Sequence, residues 1–324
     1  MSVSADKARQ ELLDALDHLL LVTPKDLQSC LQTIVIADAV ENTAAQFHCH
    51  FVTMDGNSVP MVSDLASMIA DKILDYSIQR KRIATAKAIL QTTGSSSAIV
   101  RLSREARRLF VPSDTSGEAG EILLYLLIEA YLKSPQVLCK MSLKTNNNVH
   151  FHGIDGLHAT VDPKTKHLVL YWGEAKIHGD VHKAVTDALK GLGSFLLDAG
   201  GTASRQTRDL LLLRDFIDLN DPILEDALLK YLDPDQPAYF RQYECRAACL
   251  IGFDCEHYPS QPHTKDVAGL RNDIQNSVAK WKKSIHDKIH THQLHSFIIH
   301  LFFIPFPSVD EFRAAFLKEI GING

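Results

Sequence analysis

The sequence predicts an α/β protein in which helices flank a mixed sheet. Three strand-like runs follow one another at residues 137–143, 149–161 and 167–177, with turn signals between them. Two further strand-like runs, at 245–254 and 296–306, alternate with amphipathic helical patterns. We therefore expect a mixed sheet in which strands 149–161 and 167–177 are antiparallel neighbours.

The N-terminal region differs from the rest because its pattern is mainly helical. Residues 5–21 and 60–79 have apolar side chains spaced by three and four, as expected for amphipathic helices. Two short strand-like runs lie between them, at 32–40 and 44–54, and the Ser-, Thr- and Gly-rich stretch 91–98 is interpreted as a linker. The predicted regions are a mostly helical 1–112 with one strand pair, which provides partner or DNA contacts, and an α/β domain 113–324 with a helical insertion at about 201–243.

The composition is that of a folded protein without a strong positive field. Apolar residues make up 45% of the chain, charged residues 23%, and the net charge is −5. Overall charge therefore does not draw this chain to nucleic acid, and any DNA contact must be local or arranged by a partner. No apolar run reaches the length of a membrane span, and six scattered cysteines suit reduced thiols in a cytoplasmic protein.

A long apolar helix is predicted between Thr115 and Lys133, and it carries three carboxylates. Thr115 and Glu118 have the spacing of a capping box, so Glu118 is interpreted as a helix cap rather than a ligand. The helix is apolar on nearly every side and is expected to be buried. Glu121, near its start, is the more natural candidate for a functional carboxylate, and Glu129 is the alternative.

Asp155, Glu174 and Lys176 form the pattern D…ExK, which arises roughly once by chance in a chain of this length. The predicted geometry strengthens the pattern. If the turn signal at 162–165 forms the loop of a hairpin, Asp155 faces Trp172 on the neighbouring strand. Asp155 then lies diagonally next to Glu174 on one face of the sheet, within about 5–8 Å.

Two carboxylates and an ammonium at one end of an apolar hairpin suit phosphodiester chemistry. Asp155 and Glu174, with Glu121 as a further carboxylate, would bind Mg²⁺ or Mn²⁺, which prefer hard oxygen ligands. Such an ion acidifies a water and neutralises charge on a phosphate, while Lys176 holds or activates the attacking water and stabilises the developing negative charge. The alternative is an ordinary solvated strand end with Asp155 as a turn residue.

The order of elements resembles the core of the PD-(D/E)xK nuclease superfamily. A buried acidic helix, a strand, a strand with Asp155, a strand with Glu174 and Lys176, and a helix follow one another across about residues 114–200. The Pro-Asp of the family motif is absent, and Ile154-Asp155-Gly156 stands in its place. The resemblance implies a restriction-endonuclease-like fold and a metal-dependent endonuclease.

A narrower resemblance covers most of the chain. The segments GEAGEILLYLLIEA, FHGIDGLHA and YWGEAK, preceded by the helical LASMIADKIL and REARRLF, look like the HamA family. HamA proteins are the nuclease subunits of the bacterial Hachiman anti-phage defence systems. The resemblance implies a deoxyribonuclease effector that forms a heterodimer with the superfamily-2-type helicase HamB, which holds it in check until aberrant DNA is sensed.

Basic residues outside the motif are weaker candidates for DNA contacts. His178 and His182 lie about one helical turn apart after the ExK strand, beside Lys183, and could touch a phosphate backbone or form a solvated helix face. Arg101 and Arg104, with Arg107 and Arg108, lie at helical spacings that suit DNA, an acidic partner surface or a plain solvated face.

Two alternative functions come from other classes. The first is a nuclease-fold scaffold that binds DNA and the helicase without turnover, which the complete set of Asp155, Glu174 and Lys176 argues against. The second is a zinc-dependent hydrolase. Its possible ligands match no compact zinc module in spacing: His48, Cys49, His50, Cys245, Cys249, Cys255 and His257.

Overall fold

The structure is a computed structural model that describes residues 3–110, 117–138, 141, 155–198, 204–232 and 243–322. Its described strands belong to one sheet. They are β1 (Leu31–Ala39), β2 (Gln46–Val52), β3 (Gln136–Leu138), β4 (Gly156–Val161), β5 (Leu168–Ile177), β6 (Tyr243–Asp254) and β7 (Ile299–Phe306). Their order across the sheet is β1-β2-β7-β6-β5-β4-β3.

The sheet is mixed, as the sequence predicts. Neighbours among β3, β4 and β5 pair antiparallel, β5, β6, β7 and β2 run parallel, and β1 is antiparallel to β2 at the edge. The predicted antiparallel pairing of 149–161 with 167–177 is confirmed by β4 and β5. The part of that first run at 149–154 lies outside the described residues, as does most of the run predicted at 137–143 beyond β3.

Helices cover both faces of the sheet. The described helices are α1 (Val3–Asp17), α2 (Pro24–Leu27), α3 (Val62–Asp71), α4 (Ile73–Ser77), α5 (Arg80–Thr93), α6 (Ser97–Arg108), α7 (Glu118–Leu132), α8 (Val181–Leu196), α9 (Arg205–Phe216), α10 (Pro222–Tyr231), α11 (Val267–Thr291) and α12 (Val309–Glu319). The helices α9 and α10 account for the described part of the predicted insertion at 201–243.

The apolar helix α7 lies on one face of the sheet and α8 on the other. A Cβ added at Gly120 of α7 would lie 2.7 Å from Ile177 of β5. On the opposite face, Phe195 of α8 packs against Trp172, with ring centroids 5.0 Å apart. Because strand side chains alternate, Glu174 shares the face of Trp172 and points toward α8.

The strand pair predicted in the N-terminal region extends the same sheet. β2 pairs parallel with β7, for example Phe47 with Leu301 and Cys49 with Phe303, although some 250 residues separate them in the sequence. Phe47 and Phe303 pack with ring centroids 5.0 Å apart. The two predicted regions, 1–112 and 113–324, therefore share one sheet and pack against each other in its hydrophobic core.

The interpretation of residues 91–98 as a linker is wrong. α5 continues to Thr93 and ends at Gly94, which has a φ of +72°, a left-handed conformation that glycine adopts without strain. α6 begins at Ser97, so the Gly- and Ser-rich stretch is the tight turn of a helical hairpin. The interpretation failed because a helix end and a tight turn rich in Ser, Thr and Gly have the same composition as a linker.

No helix among the described residues is both long and apolar enough to cross a membrane.

Candidate active site

The β4–β5 hairpin has a longer loop than the turn signal predicts. Val161 pairs with Leu168, so the loop is residues 162–167 rather than 162–165. Lys166 adopts a left-handed conformation with a φ of 60°, which adds residues to the turn before β5 can begin. The predicted register, which follows from the shorter loop, is wrong by two residues.

A shift of two residues leaves every side chain on its predicted face. Gly156 pairs with Gly173, and the same register continued by one residue puts Asp155 opposite Glu174 rather than opposite Trp172. Regular pairing ends at Gly156, because the backbone N–H of Asp155 donates to Gly173 and the Asp155 carboxylate lies beside Ala175. The motif residues still come together because the loop is longer than predicted by two residues, an even number.

Hydrogen bonds to β5 hold Asp155 at the start of β4. Its backbone N–H donates to the carbonyl of Gly173 at 2.9 Å. One carboxylate oxygen, Oδ2, accepts from the backbone N–H of Ala175 at 2.7 Å. Asp155 is thus bound to both neighbours of Glu174, and its side chain is only partly buried.

Lys176 lies on the same strand face as Glu174 and forms an ion pair with it. The Lys176 Nζ atom is 2.5 Å from Oε1 of Glu174, and both side chains are mostly covered. Burial disfavours the ammonium, but the nearby carboxylates of Glu174 and Asp155 outweigh it and raise the pKa of Lys176. Lys176 is therefore a fixed positive charge at neutral pH, suited to stabilising an anion rather than to accepting a proton.

The carboxylate of Glu174 sits in a tight pocket between β6 and α8. Cys249 is its neighbour across the β5–β6 pairing, and burial raises the pKa of that thiol, so the thiol stays neutral. On the other side, Gly191 of α8 leaves just enough room, because a Cβ there would lie 2.7 Å from Oε1 of Glu174. Sequence reasoning did not find Gly191, since a glycine within a helical pattern carries no partner signal of its own.

Tyr76 joins the apolar helix α7 to the hairpin. Its hydroxyl lies 3.1 Å from Oε2 of Glu121 and 3.3 Å from the backbone carbonyl of Asp155, within donating distance of both. Glu121, predicted as the further carboxylate, is thereby positioned beside the start of β4. The sequence places Tyr76 on the apolar face of a helix, where nothing distinguishes it from a core residue.

Glu129, the alternative carboxylate of α7, has structural partners. It accepts from the backbone N–H of Leu21 at 2.9 Å and from that of Gln136 at 3.4 Å, and it lies 3.7 Å from the Arg80 guanidinium. Burial raises the pKa of Glu129. Glu118 lies in the first turn of α7, whose N-cap is Gly117; Thr115, the other half of the predicted capping box, lies outside the described residues.

The different surroundings of Glu121 and Glu129 predict different mutant phenotypes. The prediction of Glu121 as a metal ligand of a nuclease implies that Glu121→Gln lowers DNA cleavage about 10- to 100-fold with little change in melting temperature, because the amide fills the same space but is a poor ligand. Glu129→Gln should lower the free energy of unfolding by about 1–3 kcal/mol, because an amide replaces a buried acceptor of several bonds. Thermal melts and plasmid cleavage on both variants test this, and the reverse pattern would make Glu129 the functional carboxylate.

The family model of HamA matches residues 28–320. The chain belongs to the HamA family. These are nuclease-type subunits of Hachiman defence systems, so the chain is a defence effector that works within a system of more than one component. No curated protein matches the sequence.

Within this HamA-family chain, the acidic residues suit magnesium better than zinc. Among the described residues, no three His, Cys, Asp or Glu side chains converge as a ready metal cage. Mg²⁺ does not need one, because it binds through one or two carboxylates and completes its shell with water and phosphate oxygens. The carboxylates of Asp155 and Glu174, both near enough to Lys176 to raise its pKa, fit that requirement.

The two histidines of β2 that were considered for zinc are engaged in the core instead. His48 and His50 lie on one face of β2, where Nε2 of His48 is 3.0 Å from Nδ1 of His300. Burial lowers the pKa of His48 to about 4 and that of His50 to about 3, so both rings are neutral. Cys49 lies on the opposite strand face, and no four-ligand zinc site forms from these side chains in the described part of the chain.

The predicted DNA contacts fall in two places. His178 follows β5 next to the motif, and its Nε2 is 3.1 Å from Asp187 of α8. His182 and Lys183 are exposed in the first turn of α8, where Ser284 of α11 lies 3.4 Å from the His182 ring. Arg101 and Arg104 are exposed on α6, which packs against α4 and α5.

Proposed function

We propose that this chain is the metal-dependent deoxyribonuclease of a Hachiman defence system and hydrolyses DNA phosphodiester bonds. The observation that carries the proposal is the meeting of Asp155, Glu174 and Lys176 on one face of the β4–β5 hairpin. Covering two carboxylates and an ammonium costs free energy, and such groups are found together mainly at functional sites. Membership of the HamA family supports assigning nucleic-acid cleavage to this site.

Asp155 and Glu174 would hold Mg²⁺ or Mn²⁺, with Glu121 as a further carboxylate. When bound, such an ion supplies positive charge beside the scissile phosphate and a more acidic water. Asp155 is fixed for this role by the Ala175 N–H, and Glu121 is fixed by the hydroxyl of Tyr76. Asp155 and Glu121 are thus each held in a fixed orientation, although among the described residues they do not form a cluster of three carboxylates with Glu174.

Lys176 supplies the second positive charge of the site. Its ammonium is held by Glu174 on the side of the sheet that faces α8. Negative charge increases on the phosphate oxygens during attack by water, and a fixed ammonium in partly dehydrated surroundings stabilises that charge strongly. Lys176 also donates hydrogen bonds, so it can orient the attacking water.

A helicase subunit is the proposed partner, in a heterodimer that acts on DNA in the bacterial cytoplasm. The charge balance supports this arrangement, because a net charge of −5 gives the chain little attraction for DNA. A helicase brings the DNA and can restrain a nuclease of low sequence preference. The free cysteines Cys30, Cys49, Cys245, Cys249 and Cys255 suit a reducing compartment.

Plasmid cleavage by the purified chain, with and without the Hachiman helicase subunit, tests the proposal. We expect cleavage in Mg²⁺ or Mn²⁺, complete loss in excess EDTA, and recovery on adding Mg²⁺ back, because the carboxylates bind hard cations weakly and reversibly. DNA binding without cleavage under every metal condition would favour the non-catalytic scaffold. Recovery by Zn²⁺ alone would favour a zinc hydrolase.

A further inference from the structure

The helical hairpin formed by α5 and α6, residues 80–108, concentrates the positive charge of the chain. It holds eight of the 34 lysines and arginines but only one of the 39 aspartates and glutamates, a net charge of +7 in a chain of net charge −5. We call this segment the basic hairpin. Its single acid, Glu105, is paired with Arg82 through two contacts of 2.6 Å, so most of the positive charge faces outward. Besides Arg82, the exposed basic residues are Lys81, Lys87, Arg101, Arg104, Arg107 and Arg108.

The tip of the basic hairpin projects into solvent. Residues 87–97, which include the last two turns of α5, contain no buried residue. Large apolar side chains are nevertheless exposed at the tip, where Ile89 is 41% and Leu90 37% exposed, and on the first turn of α6, where Val100 is 43% exposed. A groove of about 280 Å³ between the two helices is lined by Ile89, Leu102 and Arg101 among others. Ile89 and Arg101 line this groove together, and such neighbouring apolar and cationic side chains are typical of an interface rather than of a solvated helix face.

The base of the hairpin is firmly held. The carboxylate of Asp218, between α9 and α10, accepts from the backbone N–H groups of Arg80 and Lys81 at the start of α5. The Arg80 guanidinium donates to the carbonyl of Leu19 at 3.0 Å. α6 also packs against α4, the helix that carries Tyr76. The hairpin therefore presents a preformed tip while its base reaches the neighbourhood of the proposed active site.

We propose that the tip of the basic hairpin docks into an acidic protein surface with an apolar recess, and that this surface belongs to the helicase subunit. The inference rests on the proposed two-protein complex. Ile89, Leu90 and Val100 favour a protein over DNA, because a phosphate backbone offers no apolar contact to reward their burial. The arginines provide the charged rim and speed association with an acidic partner. Docking at the tip attaches the helicase to a rigid hairpin whose base contacts α4, the helix that carries Tyr76.

Two double variants separate the apolar and charged contributions. Ile89→Ser with Leu90→Ser removes apolar contact and keeps the charge, while Arg101→Glu with Arg104→Glu reverses charge and keeps the apolar tip. Both should weaken binding of the purified helicase subunit at least about 10-fold, measured by calorimetry. The wild type and the apolar variant should both show a strong salt dependence, which the arginine variant loses. The controls are Ile223→Ser, which changes an 83% exposed residue on α10, and Lys280→Glu with Lys283→Glu on α11; both should bind as wild type.

Each other outcome overturns the inference in a distinct way. Unchanged helicase binding by the apolar variant would show that the tip is not the docking site. Loss of duplex DNA binding by the arginine variant alone, with helicase binding intact, makes the hairpin a DNA surface. A wild-type chain that elutes as a dimer, with the apolar variant as a monomer, assigns the tip to a second copy. A wild-type chain that cuts plasmid but binds no helicase refutes the partner and this inference while leaving the nuclease site standing.

Discussion

Lys176→Met is expected to reduce DNA cleavage by at least about 10²- to 10³-fold while leaving the protein folded. The ammonium is the fixed cation of the site, held 2.5 Å from Glu174, and methionine keeps the length of the side chain without its charge. Its loss removes stabilisation of the developing phosphate charge, an effect on the reaction rather than on the core. The measurement is the initial rate of plasmid nicking in Mg²⁺. Glu174→Gln should lose activity at least as severely, because it removes a proposed metal ligand.

A matched control distinguishes the chemistry of this ion pair from the general effect of losing a lysine. Lys230 and Asp226 on α10 form an exposed pair at 2.7 Å, with side chains 62% and 67% exposed. Exposed pairs of this kind contribute little to stability. Lys230→Met should therefore cleave DNA and melt as the wild type does. Cleavage at the wild-type rate by Lys176→Met would remove Lys176 from the site, and comparable losses in both variants would point to a non-specific effect.

Local patterns were enough to bring the motif residues together. The alternation of side chains along 167–177 fixes Glu174 and Lys176 on one face of the strand. An antiparallel hairpin with 149–161 then brings Asp155 close to Glu174. The loop length was misjudged, since Lys166 takes a left-handed conformation that a turn signal read from Asp162 and Pro163 does not encode. The predicted strand face of Asp155 is unaffected because the loop length was wrong by two residues. An error of one residue would have put Asp155 on the opposite face.

Contacts between segments that are distant in the chain could not be predicted from the sequence. The parallel pairing of β2 with β7 depends on the whole sheet, so a short strand pair in a helical region gave no sign of joining it. Tyr76 reaches Glu121 and Asp155 only because α4 packs beside α7, and its spacing is that of any apolar helix residue. Side-chain patterns report which face a residue occupies but not which element will cover it.

Gly191→Ala is expected to separate stability from activity. Alanine in a helix interior is favoured over glycine by about 0.5–1 kcal/mol, so the substitution should not lower the melting temperature if the site can adjust. The added Cβ would lie 2.7 Å from Oε1 and 3.2 Å from Cδ of Glu174, too close for the present position of that carboxylate. The backbone of α8 is packed on the sheet, so Glu174 is the group that moves.

A small displacement of Glu174 should be costly for the reaction. A shift of about 1 Å in a catalytic group can reduce a rate on the order of 10²-fold, and we expect Gly191→Ala to cut plasmid that much more slowly. Gly193→Ala is the matched control two residues away, because its Cβ would meet its nearest neighbours, His292 and Leu294, at an ordinary 3.9 Å. That variant should be as active as the wild type and equally or more stable. Equal cleavage rates for both glycine variants, measured beside thermal melts, would show that the position of Glu174 does not limit the reaction.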